Sequence, residues 1–157
     1  MKLTLFVPGN PVPQGSKSAF VVGKRAIIVE GRNVRRKDGT FSDGRERHKA
    51  WRKTVATYAA AEARRGDLKP ADGAVAVSLC FWLPRPKSLS KRVYYAVKKP
   101  DVDKCARAVL DSLTGIAYVD DSQIVSLHVT KVYECLDRPP GVAIMVRHAG
   151  AHDILDP

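Results

Sequence analysis

The sequence predicts an α/β (α+β) fold: one domain over 1–157, with a mixed β-sheet packed against two main helices in the order β-(hairpin)-α-β-α-β-β. Three observations carry this. Four apolar runs of strand length, bounded by Pro, Gly or Asp, fall at 2–7, 74–83, 122–133 and 142–147. Two stretches of helical spacing interleave with them, at about 44–65 and 101–113. The 157 residues, 45% hydrophobic and 27% charged, suffice for one sizeable core and are cramped for two, and no repeat or long linker divides them.

Each element follows from its residues. Leu3, Leu5 and Val7 share one face of the first strand, and 8–17, PGNPVPQGSK, is a stiff loop punctuated by proline. Residues 19–22 and 26–29 flank Gly23, Lys24 and Arg25 as a short hairpin, and RRKDGTF contains an Asp-Gly turn, so 19–40 is a hairpin or a mobile basic arm. The helix at 44–65 takes Ser42 or Asp43 as N-cap, buries Trp51, Val55, Tyr58 and Ala59, and stops at Gly66. AVAVSLCFWL, 74–83, is a strand ended by Pro84. In the basic loop after it, Tyr94 and Tyr95 either stack on bases or pin the loop to the core. The second helix starts at Asp101 or Asp103, runs to about Leu113 with Val102, Ala106, Val109, Leu110 and Leu113 as its core stripe, and closes at Gly115. A turn with Arg138, Pro139, Pro140 and Gly141 joins the last two strands.

Charge narrows the class of partner. With 27 Lys and Arg against 16 Asp and Glu, the net charge of +11 predicts a polyanion, above all nucleic acid. The excess is uneven. From Lys24 to Lys53 eleven basic residues face four acidic ones, and from Arg85 to Lys99 six basic residues face none. Between Asp101 and Asp121 the sign reverses, with five aspartates against Lys104 and Arg107. No apolar run reaches membrane-spanning length, and Pro8 comes too early for a signal peptide, so a cytoplasmic protein without a membrane partner is expected. Cys80, Cys105 and Cys135 are expected to be reduced and mostly buried, and His48, His128, His148 and His152 to be packing or surface residues.

The acidic island has a chemistry of its own. Asp101 and Asp103, at i and i+2 where an extended segment enters a helix, can converge on one point, and Asp103, Arg107 and Asp111 share one helix edge at i, i+4 and i+8. Asp120 and Asp121 point different ways at the start of a strand, so at most one joins that pair. Three carboxylates without His or Cys suit a hard cation, Mg2+ with Mn2+ as the alternative, and such ions serve phosphoryl chemistry. The same aspartates also have a plain use as helix and turn caps.

These residues resemble the RusA family of Holliday junction resolvases, Mg2+-dependent DNA endonucleases of bacteria and phages. Pro100-Asp101-Val102-Asp103, Asp111-Ser112-Leu113-Thr114-Gly115 and Asp120-Asp121-Ser122-Gln123-Ile124 match that family's three blocks in order and spacing, and the proline-rich entrance resembles phage-type members. The resemblance implies that Asp101, Asp103 and Asp121 are catalytic and bind the metal, with Asp111 and Asp120 supporting them. The family's catalytic lysine one turn after the second aspartate is Arg107 here, and its asparagine is Lys104. Arginine keeps the charge but gives up no proton at neutral pH, which leaves an electrostatic role.

The expected function is therefore resolution of branched DNA by phosphodiester hydrolysis, in recombination and repair. The expected agent is a homodimer whose two-fold symmetry matches a four-way junction, in the host bacterial cytoplasm if phage-encoded. The DNA surface is expected from Arg45, Lys49, Arg52 and Lys53 on the first helix, Arg85, Lys87, Lys91, Arg92, Lys98 and Lys99 on the loop, and Lys104, with Arg35, Arg36 and Lys37 adding to it. The alternatives are a non-catalytic nucleic-acid-binding protein and a nuclease for flaps or replication forks.

Overall fold

The computed structural model describes residues 2–15, 17–22, 25–30 and 44–153. The elements are β1 (Lys2–Pro8), β2 (Lys17–Val22), β3 (Arg25–Glu30), α1 (Gly44–Arg65), β4 (Val75–Leu83), α2 (Val102–Leu113), β5 (Ile124–Tyr133) and β6 (Gly141–His148), with 3-10 turns at Asp121–Gln123 and Ala151–Asp153. This is the α/β architecture expected, with two main helices and a mixed sheet. The start of the fifth strand is corrected. Residues 121–123 form a 3-10 turn because Asp120 and Gln123 close a capping box there, and β5 begins only at Ile124. The expected N-caps Ser42 and Asp43, the RRKDGTF turn, and Arg35, Arg36 and Lys37 lie outside the described residues.

The four-stranded sheet has the order β1-β6-β4-β5, and β2 pairs with β3 in a separate antiparallel ribbon. β6 lies antiparallel between β1 and β4, whereas β4 and β5 are parallel. A parallel pair cannot be closed by a hairpin, so the segment between them must cross over, and α2 is that crossover. β4 is central and nearly continuously buried, which explains its run of apolar residues without polar alternation.

One face of the sheet carries the core. Leu3, Val7, Val75, Val77, Leu79, Phe81, Val142, Ile144 and Val146 are all buried there. α1 meets them with Trp51, Val55, Ala59 and Ala63, a ladder at i+4 steps, and Tyr58 stands 44% exposed rather than inside. The small alanines let α1 approach α2, which is buried on two sides: Cys105, Ala106, Ala108, Val109, Ser112 and Leu113 all leave solvent. On the other face Phe6 packs edge-on against Trp82 at 5.9 Å, with Arg138 over the Trp82 ring at 5.7 Å. No helix among the described residues is long and apolar enough to cross a membrane.

The three thiols are unpaired and differ in environment. Cys105 is buried, Cys80 half-buried, and Cys135, against expectation, exposed on the turn after β5. Burial pushes the Cys105 thiol up to about 11, with the charges of Asp101 and Asp103 acting in the same direction and Lys131 against them. Thiol labelling near pH 8 should therefore modify Cys135 first and leave Cys105 protected until denaturant is added; rapid labelling of Cys105 in the native protein would contradict its placement. A second expectation concerns the β1–β6 pairing. A Cβ at Gly141 would stand 2.5 Å from both the Val7 carbonyl oxygen and Phe6 Cζ, so Gly141→Ala should destabilise by about 1–3 kcal/mol in urea unfolding.

Candidate active site

α2 opens without a side-chain cap. Asp101 occupies the N-cap position in extended conformation, yet its carboxylate caps no helix N–H; it pairs instead with Lys104 Nζ at 3.2 Å. Asp120 behaves in the opposite way. Its carboxylate accepts from the Ser122 N–H at 2.9 Å while its own N–H donates to Gln123 Oε1 at 2.8 Å, and hydrogen bonding from Ser122 holds its carboxyl below the usual carboxylate range. The plain use of an aspartate as a turn cap thus describes Asp120 and not Asp101.

Between α2 and β5 lies an open cleft of about 520 Å3, lined by Val102, Asp103, Ala106, Arg107, Leu110, Asp111, Asp121, Leu127 and Val129. Asp103 lies in the first turn of α2 and Asp111 in the last, about 12 Å apart along eight residues of helix, with Arg107 between them. Asp121 enters from the turn before β5. Beneath this end of the cleft Tyr118 is buried and donates its hydroxyl proton to the Leu110 carbonyl at 2.8 Å. Its pKa is raised by burial and by the negative charges of Asp121 and Asp111.

The carboxylates differ in what already holds them. Asp111 faces Arg52 of α1, 3.8 Å between guanidinium and carboxylate, and its carbonyl accepts from the same guanidinium at 3.4 Å. Asp103, Asp121 and Arg107 make no ion pair among the described residues. Asp101 lines a second cleft, of about 500 Å3, with Pro11, Pro13, Gln14, Gly15, Lys99, Pro100 and Lys104. The structure therefore brings Asp103, Arg107, Asp111 and Asp121 together along one cleft and places Asp101 on another. Among the described residues no three His, Cys, Asp or Glu side chains stand together as a metal cage. The donors in the main cleft are nonetheless all carboxylate oxygens, the chemistry a hard cation selects, and Mg2+ needs only one or two of them beside its waters and a phosphate.

The basic residues divide by use. Lys53, Lys87, Lys91, Arg92, Lys98 and Lys99 are exposed, as are Arg45 and Lys49, the latter 3.5 Å from Glu46. Arg52 and Lys104 are engaged with Asp111 and Asp101. Arg85 is spent on the loop itself. It donates to the carbonyls of Ser90 and Val93 at 2.9 Å and of Glu134 at 3.3 Å, and stacks over Tyr133 at 5.3 Å. Tyr94 and Tyr95 are 70% and 69% exposed, while their backbone is tied to β5 through the Tyr133 N–H to Tyr94 carbonyl bond.

Two side chains shape the site through partners that the sequence alone does not reveal, although Gln123 stands in the third motif block. Gln123 donates to the carbonyls of Ala71 and Gly73 at 3.0 and 2.9 Å, fastening the turn that bears Asp121 to the loop before β4. Lys131 donates to the carbonyls of Lys98 and Pro100 at 2.9 and 2.7 Å, next to Asp101. Each bonds to carbonyls that lie far away in sequence, so only the fold reveals the contact.

Over 89 residues, half of this chain, the sequence is 35% identical to the uncharacterized protein YqaN of Bacillus subtilis (strain 168), and the match spans 61% of that relative's length. The family model described as Endodeoxyribonuclease RusA matches residues 8–147, from the end of β1 into β6, and so includes both clefts. The chain belongs to the RusA endodeoxyribonuclease family.

Proposed function

We propose that this protein is a divalent-cation-dependent endonuclease that cuts branched DNA, resolving four-way junctions as a homodimer. The observation that carries the proposal is the cleft between α2 and β5. Two carboxylates without an ion-pair partner among the described residues, Asp103 and Asp121, line it together with an arginine in the same condition, Arg107, in a chain of an endodeoxyribonuclease family.

Unpartnered carboxylates in a protein of charge +11 repel the phosphate that the rest of the surface attracts, unless a cation stands between. Mg2+ or Mn2+ is the cation proposed, held by Asp103 and Asp121, with Asp101 as the further donor that the family resemblance adds. When bound it supplies activation of water and charge neutralisation at the scissile phosphate. The chain's own residues do the rest. Arg107 presents its guanidinium toward the charge that develops on the phosphate oxygens, a role that needs no proton transfer. Asp111, held by Arg52, walls the cleft and ties it to the basic helix α1. The exposed lysines of α1 and of the 84–99 loop hold DNA by its backbone, which gives affinity without sequence preference. A junction must be cut at two symmetric points, and a C2 homodimer supplies two matched clefts.

An immobile synthetic four-way junction incubated with protein and Mg2+ should yield symmetric paired nicks. Asp103→Asn should lower the cleavage rate at least about 100-fold while junction binding stays equal or tightens, because a repelling charge is removed. Binding without cleavage by the wild type under Mg2+ and Mn2+ would overturn the proposal, and preferential cutting of flaps or forks would reassign its substrate. Arg107→Ala should slow single-turnover cleavage by about 100-fold with little change in Kd; equal losses in both would make Arg107 a DNA contact instead.

A further inference from the structure

β5 and α2 lie side by side with opposite ends of the site on them. The turn before β5 carries Asp121, Leu127 and Val129 in its middle wall the cleft, and Lys131 comes near its end. Lys131 shares the helix-facing side of the sheet with Leu127, Val129 and Tyr133, since its register partner on β4, Phe81, is a core residue. A lysine there places its stem among apolar neighbours and must bring its ammonium to a polar partner. That partner is backbone: the carbonyls of Lys98 and Pro100, at 2.9 and 2.7 Å.

These carbonyls belong to the last peptides before the helix. Asp101 follows at the N-cap, its own carbonyl accepts the first helical bond, from Cys105, at 3.2 Å, and Asp103 lies in the turn so begun. The same stretch is stitched to β5 nearby, where the Ala96 N–H donates to the Lys131 carbonyl at 3.3 Å.

We propose that Lys131 is a positioning residue. By closing on the Lys98 and Pro100 carbonyls it sets the direction in which α2 leaves the loop, and so holds Asp101 and Asp103 in register with Asp121 along β5. This rests on the proposed nuclease function, because the register matters only if those carboxylates act together. Charge alone does not describe Lys131, since two of its three donors are committed to backbone carbonyls at fixed positions.

The test compares wild type with Lys131→Met, which keeps the stem and removes the donors, and with Lys131→Arg, whose several donors again reach two carbonyls. Three quantities are read: Mn2+ binding to the DNA-free protein by electron paramagnetic resonance, Kd for a four-way junction, and single-turnover cleavage at saturating DNA. Lys131→Met should weaken Mn2+ binding about 10-fold and slow cleavage about 10- to 100-fold with Kd unchanged within about 2-fold, and Lys131→Arg should recover most of both losses. Unchanged Mn2+ binding and cleavage in Lys131→Met, beside an active wild type, would overturn the inference alone. So would a weakened Kd with a normal rate, which would make Lys131 a DNA contact. A wild type that neither binds Mn2+ nor cuts would overturn the nuclease function, and the inference with it. Should Lys131→Met fail to fold, Lys131→Gln, retaining one amide donor, carries the same comparison.

Discussion

Like charges gathered in one place set the terms for this molecule. Between 101 and 121 the chain carries five aspartates and only two cations. Carboxylates repel one another the more strongly the nearer they lie and the less water stands between them, and the folded state bears that cost. The fold meets that cost by giving three of the five their own partners: Lys104 for Asp101, Arg52 for Asp111, and the Ser122 N–H for Asp120. Asp103 and Asp121 receive none among the described residues, although Arg107 lines the same cleft. A protein that wanted only to fold had means at hand to quench them, and leaving them open is consistent with a ligand of positive charge.

The scaffold serves the same end. The parallel pairing of β4 and β5 forces a crossover, and that crossover is the helix bearing Asp103, Arg107 and Asp111. Small residues on α1 and α2 let the helices pack closely over the sheet, so the carboxylate-bearing edge of α2 is fixed from the core side. At the two ends of β5, Gln123 and Lys131 bond distant carbonyls and pin the turn before the strand and the loop before the helix. Rigid elements fastened at both ends hold side chains more closely than loops do, which is what positioning for catalysis demands.

Much of this was legible in the residues. Both helices, the four sheet strands and the hairpin follow from periodicity and punctuation, and the span of α1 is the one its spacing predicts. The misplacements have physical causes. Tyr58 fits a helical stripe, but alanines at Ala59 and Ala63 bring α1 so near its neighbours that the buried ladder steps by four and leaves the tyrosine out. The start of β5 was hidden because a capping box, a local side-chain bond, outweighs the alternating pattern at 121–123. In the site, spacing identified the edge of Asp103, Arg107 and Asp111. It could not show that Asp101 turns to Lys104 or that Arg85 is consumed by its own loop, because those contacts are choices of rotamer and loop path. Lys131 is not singled out by the sequence, since nothing local marks a lysine whose partners lie some thirty residues away.

The central claim is that the cleft between α2 and β5 is a cation site for phosphodiester cleavage. The most direct measurement is an anomalous difference map from crystals grown with Mn2+. The account predicts one strong peak inside that cleft, within bonding distance of a carboxylate oxygen of Asp103 or Asp121, and its loss in Asp103→Asn crystals. A cleft without a peak at Mn2+ concentrations that support cleavage, or an ion bound only elsewhere on the molecule, would contradict it.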